Sequence, residues 1–163
     1  MTVLKRKIFA ACLLYSSFHL PSAQAADAAH VPLKHHVVGI FFGISDERSG
    51  SDDFTLGFEY EYKFNRKFGA GVVYENIGNA HEGDGIEIVL GSLFYHPYAG
   101  WRLGLGVGRE KIHGSHGGYE TLYRVGAAYD FHFGRYGVAP VLELDRVNGN
   151  NVLVYGVAIT TSF

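Results

Sequence analysis

From Phe54 to Phe64 the chain reads FTLGFEYEYKF. Phe54, Leu56, Phe58, Tyr60, Tyr62 and Phe64 alternate with Thr55, Gly57, Glu59, Glu61 and Lys63. A period of two predicts a strand, because successive side chains leave a pleated backbone on opposite faces. The pattern recurs along the chain and predicts eight strands: His35–Ile44, Phe54–Phe64, Lys67–Ile77, Gly85–Tyr95, Tyr98–Lys111, Thr121–Phe133, Tyr136–Arg146 and Asn150–Phe163. In the fifth, Trp101, Leu103, Leu105 and Val107 oppose Arg102, Gly104, Gly106 and Gly108. The fourth is the weakest, because Ser92 interrupts the apolar row Ile86, Ile88, Leu90 and Phe94. No stretch carries helical periodicity.

The connections alternate in length. Asn65-Arg66, His96-Pro97 and Gly134-Arg135 read as two-residue turns, whereas Ser45–Asp53, Gly78–Asp84 and Ile112–Glu120 are longer and polar; Val147-Asn-Gly149 is the short exception. Tight turns at one end and longer loops at the other are the habit of transmembrane barrels.

Alternation alone leaves open which face is oily inside and which is oily outside. Volume decides first: about five large apolar side chains per strand overfill the interior of an eight-stranded barrel. The charged face also holds Gly39, Gly43, Gly57, Gly69, Gly71, Gly100, Gly104, Gly106, Gly108, Gly126, Gly137 and Gly156. Glycine weakens a strand and brings nothing to a solvated face, but it leaves room in a narrow bore. Finally, Phe64, Phe68, Tyr98, Phe131, Phe133, Tyr136 and Phe163 gather at strand ends beside the short turns, as an interfacial girdle does. The reading is therefore all-β: an eight-stranded antiparallel up-and-down transmembrane β-barrel. Its rival is a soluble barrel with a ligand cavity among inward apolar side chains.

The N-terminus adds an address. Lys5, Arg6 and Lys7, an apolar run to Leu20, Pro21 and the small residues of Ala23-Gln24-Ala25 compose a cleavable signal peptide over residues 1–25. A leader, 26–34, precedes the barrel, 35–163. Cleavage removes Cys12, the sole cysteine, and leaves 11 basic against 16 acidic residues, a net of −5. That balance argues against nucleic acid as a partner.

A signal peptide, eight alternating strands and a terminal phenylalanine resemble the small outer-membrane β-barrels of Gram-negative bacteria, the OmpX, opacity-protein and OmpA transmembrane-domain type. The resemblance implies residence in the cell outer membrane as a monomer, surrounded by lipid and lipopolysaccharide. It also implies that the assembly machinery reads Tyr155, Val157, Ile159 and Phe163 in the last strand, with Thr161 a departure from the apolar row. It implies architecture, not activity, since such barrels include adhesins, structural proteins and enzymes.

By alternation Glu59, Glu61, Lys63, Glu75, Glu87, Arg102, Arg124, Asp130, His132, Glu143 and Asp145 point inward. Charges that far from bulk water must pair, so the expectation is a charge-plugged lumen around Arg102 and Arg124. The alternative is a narrow channel or porin for ions or small solutes. The loop segments Ser45–Asp53, His81–Asp84 and His113–His116 carry histidines and carboxylates without strict ligand spacing, so no metal and no cofactor are expected. Resemblance to the lipid A 3-O-deacylases, a third alternative, rests on His113-Gly114-Ser115 with Glu120 nearby to orient the histidine. Here the residue after the serine is His116, not that family's asparagine, and no catalytic residue is assigned. The expected role is structural, or an interaction at the cell surface.

Overall fold

The computed structural model describes residues 32–47, 52–78, 85–114 and 117–163. The expected signal peptide, all but the last three residues of the leader, and the loop residues 48–51, 79–84 and 115–116 lie outside the described residues. Nine hydrogen-bonded segments follow in chain order: β1 (His36–Glu47), β2 (Asp52–Lys63), β3 (Phe68–Ile77), β4 (Ile86–Tyr95), β5 (Trp101–Ile112), β6 (Tyr119–Tyr129), β7 (Phe131–Phe133), β8 (Tyr136–Val147) and β9 (Asn150–Ser162). Every pairing is antiparallel, each strand beside its sequence neighbour, and β1 pairs with β9 to close the ring.

β6 and β7 are one strand interrupted at Asp130. β8 pairs with both in a single register, Ala128 opposite Val141 and Phe131 opposite Val138. The barrel is therefore eight-stranded. Closure leaves no unpaired edge, the condition for a sheet to lie in hydrocarbon. No described helix is long and apolar enough to cross a membrane, which has no bearing on crossing by strands.

The two ends differ as the connections foretell, with corrections in length. Asn148 and Gly149 both have positive φ, 45° and 86°, the type I′ geometry that suits the twist of a two-residue hairpin. Gly134 (φ 71°) opens the other two-residue turn. The expected two-residue turn at Asn65-Arg66 is longer: the Asn65 side chain accepts from the backbone N–H groups of Lys67 and Phe68 at 2.8 and 3.0 Å, an Asx turn. The turn at His96-Pro97 extends through Gly100 (φ 87°), where a Cβ would also press on the Tyr129 ring. Strand β5 thus begins at Trp101, not Tyr98. At the other end β1, β2 and β6 run two or three residues further than alternation suggested, since backbone pairing such as Asp46 with Asp52 continues where side chains have turned polar.

The outside of the wall is apolar. Phe58, Leu105, Val125, Leu142 and Ile159 are each about half exposed, while the residues between them are covered. Tyr155, Val157, Ile159 and Phe163, the residues expected to serve as an assembly signal, lie on this outer face. At the turn end aromatic rings pack in pairs: Phe68 on Tyr95 (5.1 Å between centroids), Trp101 on Tyr129 (5.3 Å) and His36 on Phe163 (5.5 Å).

β4 departs from expectation. Ile86, Ile88, Leu90, Ser92 and Phe94 face inward, and Val89, Leu93 and Tyr95 face out. Apolar residues occupy both faces of this strand, so periodicity could not choose between them. The neighbouring strands choose, since Ile88 pairs with inward Glu75 and Glu110, and Phe94 with Gly69 and Gly104. The interior consequently holds an apolar cluster of Val73, Ile77, Ile86, Ile88, Leu90, Leu122 and Val147 near the loop end. A second cluster forms around Phe41.

Candidate functional site

The bore carries two ionic clusters stacked along its axis. In the one nearer the loops, Arg124 of β6 reaches across to β3. Its Nη1 and Nη2 donate to the two carboxylate oxygens of Glu75 at 2.5 and 2.7 Å, while Nε and Nη2 donate to Asp145 at 2.6 Å each. Glu143 lies 2.9 Å from Nη1. All five guanidinium protons thus face carboxylates, the forked geometry that makes arginine pairs strong. Side-chain exposure of Arg124, Glu75 and Asp145 is 4, 3 and 2%.

The cluster nearer the turns is built on Arg102. Its guanidinium donates to Glu59 and stands over the Phe94 ring, 5.2 Å from the centroid. Below it, Glu61 is fully buried and shares 2.7 Å with Nε2 of His96; its second oxygen has no protein partner. Asp130 is half-buried beside them and accepts from Thr160 at 3.4 Å.

Glycines make the space these groups occupy. A Cβ on Gly69 would collide with the Glu61 carboxylate, and one on Gly126 would touch the Glu143 side chain. Gly43 and Gly156 make room for the ring of Phe41. The glycines of the charged face accommodate an aromatic as well as acids, so the interior is mixed, not wholly charged. Two voids of about 20 Å³ each remain beside Arg102 and Glu143, room for roughly one water apiece.

Among the residues expected inside, Glu59, Glu61, Glu75, Arg102, Arg124, Asp130, Glu143 and Asp145 meet in these two clusters. Lys63 and His132 share their inward phase but sit at the turn-end rim, the first half-exposed and the second exposed. Glu87 does not face the lumen. With β4 turned over it lies on the outer wall, its carboxylate 3.3 Å from Nε2 of His113 and 3.7 Å from Nζ of Lys111, with the Tyr74 hydroxyl at 3.4 Å. His113 therefore stands beside Glu87. Glu120, expected to orient it, instead accepts from the Asn148 amide at 3.1 Å, and Ser115 and His116 lie outside the described residues.

Sequence reading missed three interior residues. Glu110 is buried, and the even-numbered inward row of β5 would have found it if continued two residues past Gly108. His96 was read as a turn residue, and Phe41 was passed over although it shares the phase of Gly39 and Gly43. Among the described residues no group of three or more His, Cys, Asp or Glu side chains could hold a metal ion.

No family model matches the chain, and no curated protein matches its sequence. Solved structures do resemble its fold. The N-terminal β-barrel domain of Pseudomonas aeruginosa OprF superposes with a TM-score of 0.60 at 16% identity, covering 80% of this chain and 98% of that one. Neisserial surface protein A gives 0.57 at 12% identity, covering 79% and 96%. Ail, the attachment invasion locus protein of Yersinia pestis, gives 0.54 at 15% identity, covering 80% and 100%. At these identities the likeness is one of fold.

Proposed function

We propose, from the fold it shares with the eight-stranded outer-membrane β-barrels, an integral outer-membrane protein, monomeric and inserted by the assembly machinery through Tyr155, Val157, Ile159 and Phe163. Its bore is closed by its own charges, and its role is structural or a surface interaction made by the loop end. The observation that carries this reading is the placement of Arg124, held in mid-bore by Glu75, Asp145 and Glu143 from opposite walls. A solute would have to part those pairs, and unpaired charges in a low-dielectric interior cost several kcal/mol each. With short turns on the periplasmic side, the loops alone meet the exterior.

The test is to fold the barrel in detergent, confirm folding by heat-modifiable gel migration, and record single-channel currents in a planar bilayer. Silence from the folded wild type, with openings appearing in Arg124→Ala, agrees with a plug. Steady openings of the wild type would replace it with a narrow ion pathway. Folding only as a water-soluble species would remove the membrane reading altogether.

A further inference from the structure

Carboxylates run through the bore in a line longer than two arginines require. Glu59 and Glu61 are successive inward positions of β2, and Glu143 and Asp145 are successive inward positions of β8. The two rows meet across the bore, because both voids of about 20 Å³ are lined by Glu59 and Glu143. Toward the loops, Asp145, Glu110, Asp53 and Ser45 line a third void of about 10 Å³, close to the least that a water needs. Asp53 is half-exposed at the loop-end mouth. Toward the turns the line continues from Glu61 to His96, whose side chain is 11% exposed.

Two features set this line apart from a plain salt-bridge plug. Arg124 brings one positive charge among Glu75, Glu143 and Asp145, and Arg102 brings one beside Glu59, with Glu61 below. Acid groups thus exceed cations, and a buried acid without a counter-charge keeps its proton. The second feature is Glu61 itself, fully buried with one oxygen that has no protein partner. A buried acceptor left open in this way marks a place for water. Its other oxygen meets an imidazole, which can take a proton on one nitrogen and release one from the other.

Resting on the closed bore above, we propose that the barrel passes protons while excluding other ions, along a relay from Asp53 through Asp145, Glu143, Glu59 and Glu61 to His96. Each carboxyl gives its proton to the next oxygen, directly or through one water, and takes another from behind, so every group ends as it began. A hydrated ion does not fit these voids and would have to part the arginine pairs. A proton needs only the hydrogen bonds. A lone arginine at a constriction repels protons, but here each guanidinium is outnumbered by carboxylates, so the local field favours protons over anions. At neutral pH protons are so dilute that their passage leaves no single-channel step, and electrical silence is the expected companion of this flux.

The test uses the protein purified from membranes in mild detergent, with folding verified by heat-modifiable migration, and reconstituted into vesicles enclosing the pH-sensitive dye pyranine. An acid step, with potassium and valinomycin balancing charge, reads proton entry. Exchange of trapped potassium for external sodium, without valinomycin, reads leakage of other ions. Wild-type vesicles should acidify faster than protein-free vesicles and hold their potassium. Glu143→Gln, which leaves Arg124 with Glu75 and Asp145, should bring acidification down to the protein-free rate, and Glu61→Gln, remote from Arg124, should do the same. Glu143→Asp keeps an acid in place and should retain the flux, and Glu87→Gln on the outer wall should change nothing. A potassium-tight wild type that acidifies no faster than protein-free vesicles would overturn the relay and leave the plug standing. Equal rates in the wild type, Glu143→Gln and Glu61→Gln would overturn the route. Potassium loss from wild-type vesicles would overturn the closed bore, and the proton selectivity with it.

Discussion

Arg124 and Glu75 stand 49 residues apart in sequence, yet two parallel hydrogen bonds of 2.5 and 2.7 Å join them across the bore. Three strand-to-strand steps separate β6 from β3 along the wall. The pair therefore ties opposite sides of the barrel together, with Asp145 and Glu143 completing the ring of acceptors. Removing the one cation would leave three carboxylates facing one another.

Arg124→Ala is accordingly the most damaging single change in the bore. Breaking a buried ionic cluster by deleting one partner costs about 3–5 kcal/mol. Urea unfolding in lipid vesicles should show a loss of that order, with Glu75→Gln losing less because Asp145 still holds the guanidinium. Arg124→Lys should recover only part, since an ammonium cannot serve two carboxylates in fork geometry.

The outer face makes the opposite demand. Phe58 is 47% exposed near the middle of β2, so Phe58→Arg places a cation against lipid at a cost of about 2–4 kcal/mol. Glu61→Gln, on the inner face of the same strand, should keep its contact with His96 as a neutral hydrogen bond and fold normally. Yields of heat-modifiable barrel compare the two, and equal tolerance would contradict the facing.

Phe41 depends on the glycines around it. Gly156→Val would drive two methyl groups into the Phe41 ring and the neighbouring backbone, and overpacking of this kind costs about 1–3 kcal/mol. Adding Phe41→Ala should restore only part of the lost stability, because the β1 backbone also crowds Gly156. The double variant measured beside each single one gives the coupling.

Glu87 separates the structure from the sequence reading. As a lumen residue its loss would free buried cations; on the outer wall it makes partly exposed contacts with Lys111 and His113. Such pairs contribute about 0–1 kcal/mol. Glu87→Ala should therefore shift unfolding very little, and a loss comparable with Arg124→Ala would place it back inside.

The eight strands, the closed ring and the aromatic end were legible because alternation is a local signal repeated along the chain. Most of the ionic residues were legible for the same reason: once one face is named, Glu59, Glu75, Arg102, Arg124 and Asp145 follow from their phase. Pairing was not legible, since Arg124 meets Glu75 only when the ring closes. β4 failed because Ile88 and Val89 are equally apolar, so its phase is set by β3 and β5 rather than by itself. His96 failed because it was read as a turn residue, although its N–H still pairs with Lys67 and its imidazole continues the inward row of β4 past Phe94 to meet Glu61.

The facing of the wall is tested most directly through Trp101, the chain's single tryptophan, which lies on the outer face at the start of β5 and packs against Tyr129. With the folded barrel in vesicles, its emission should be blue-shifted, quenched by lipids brominated on the upper part of their chains, and shielded from aqueous acrylamide. Strong acrylamide quenching with no response to brominated lipid would contradict an outward, lipid-facing wall.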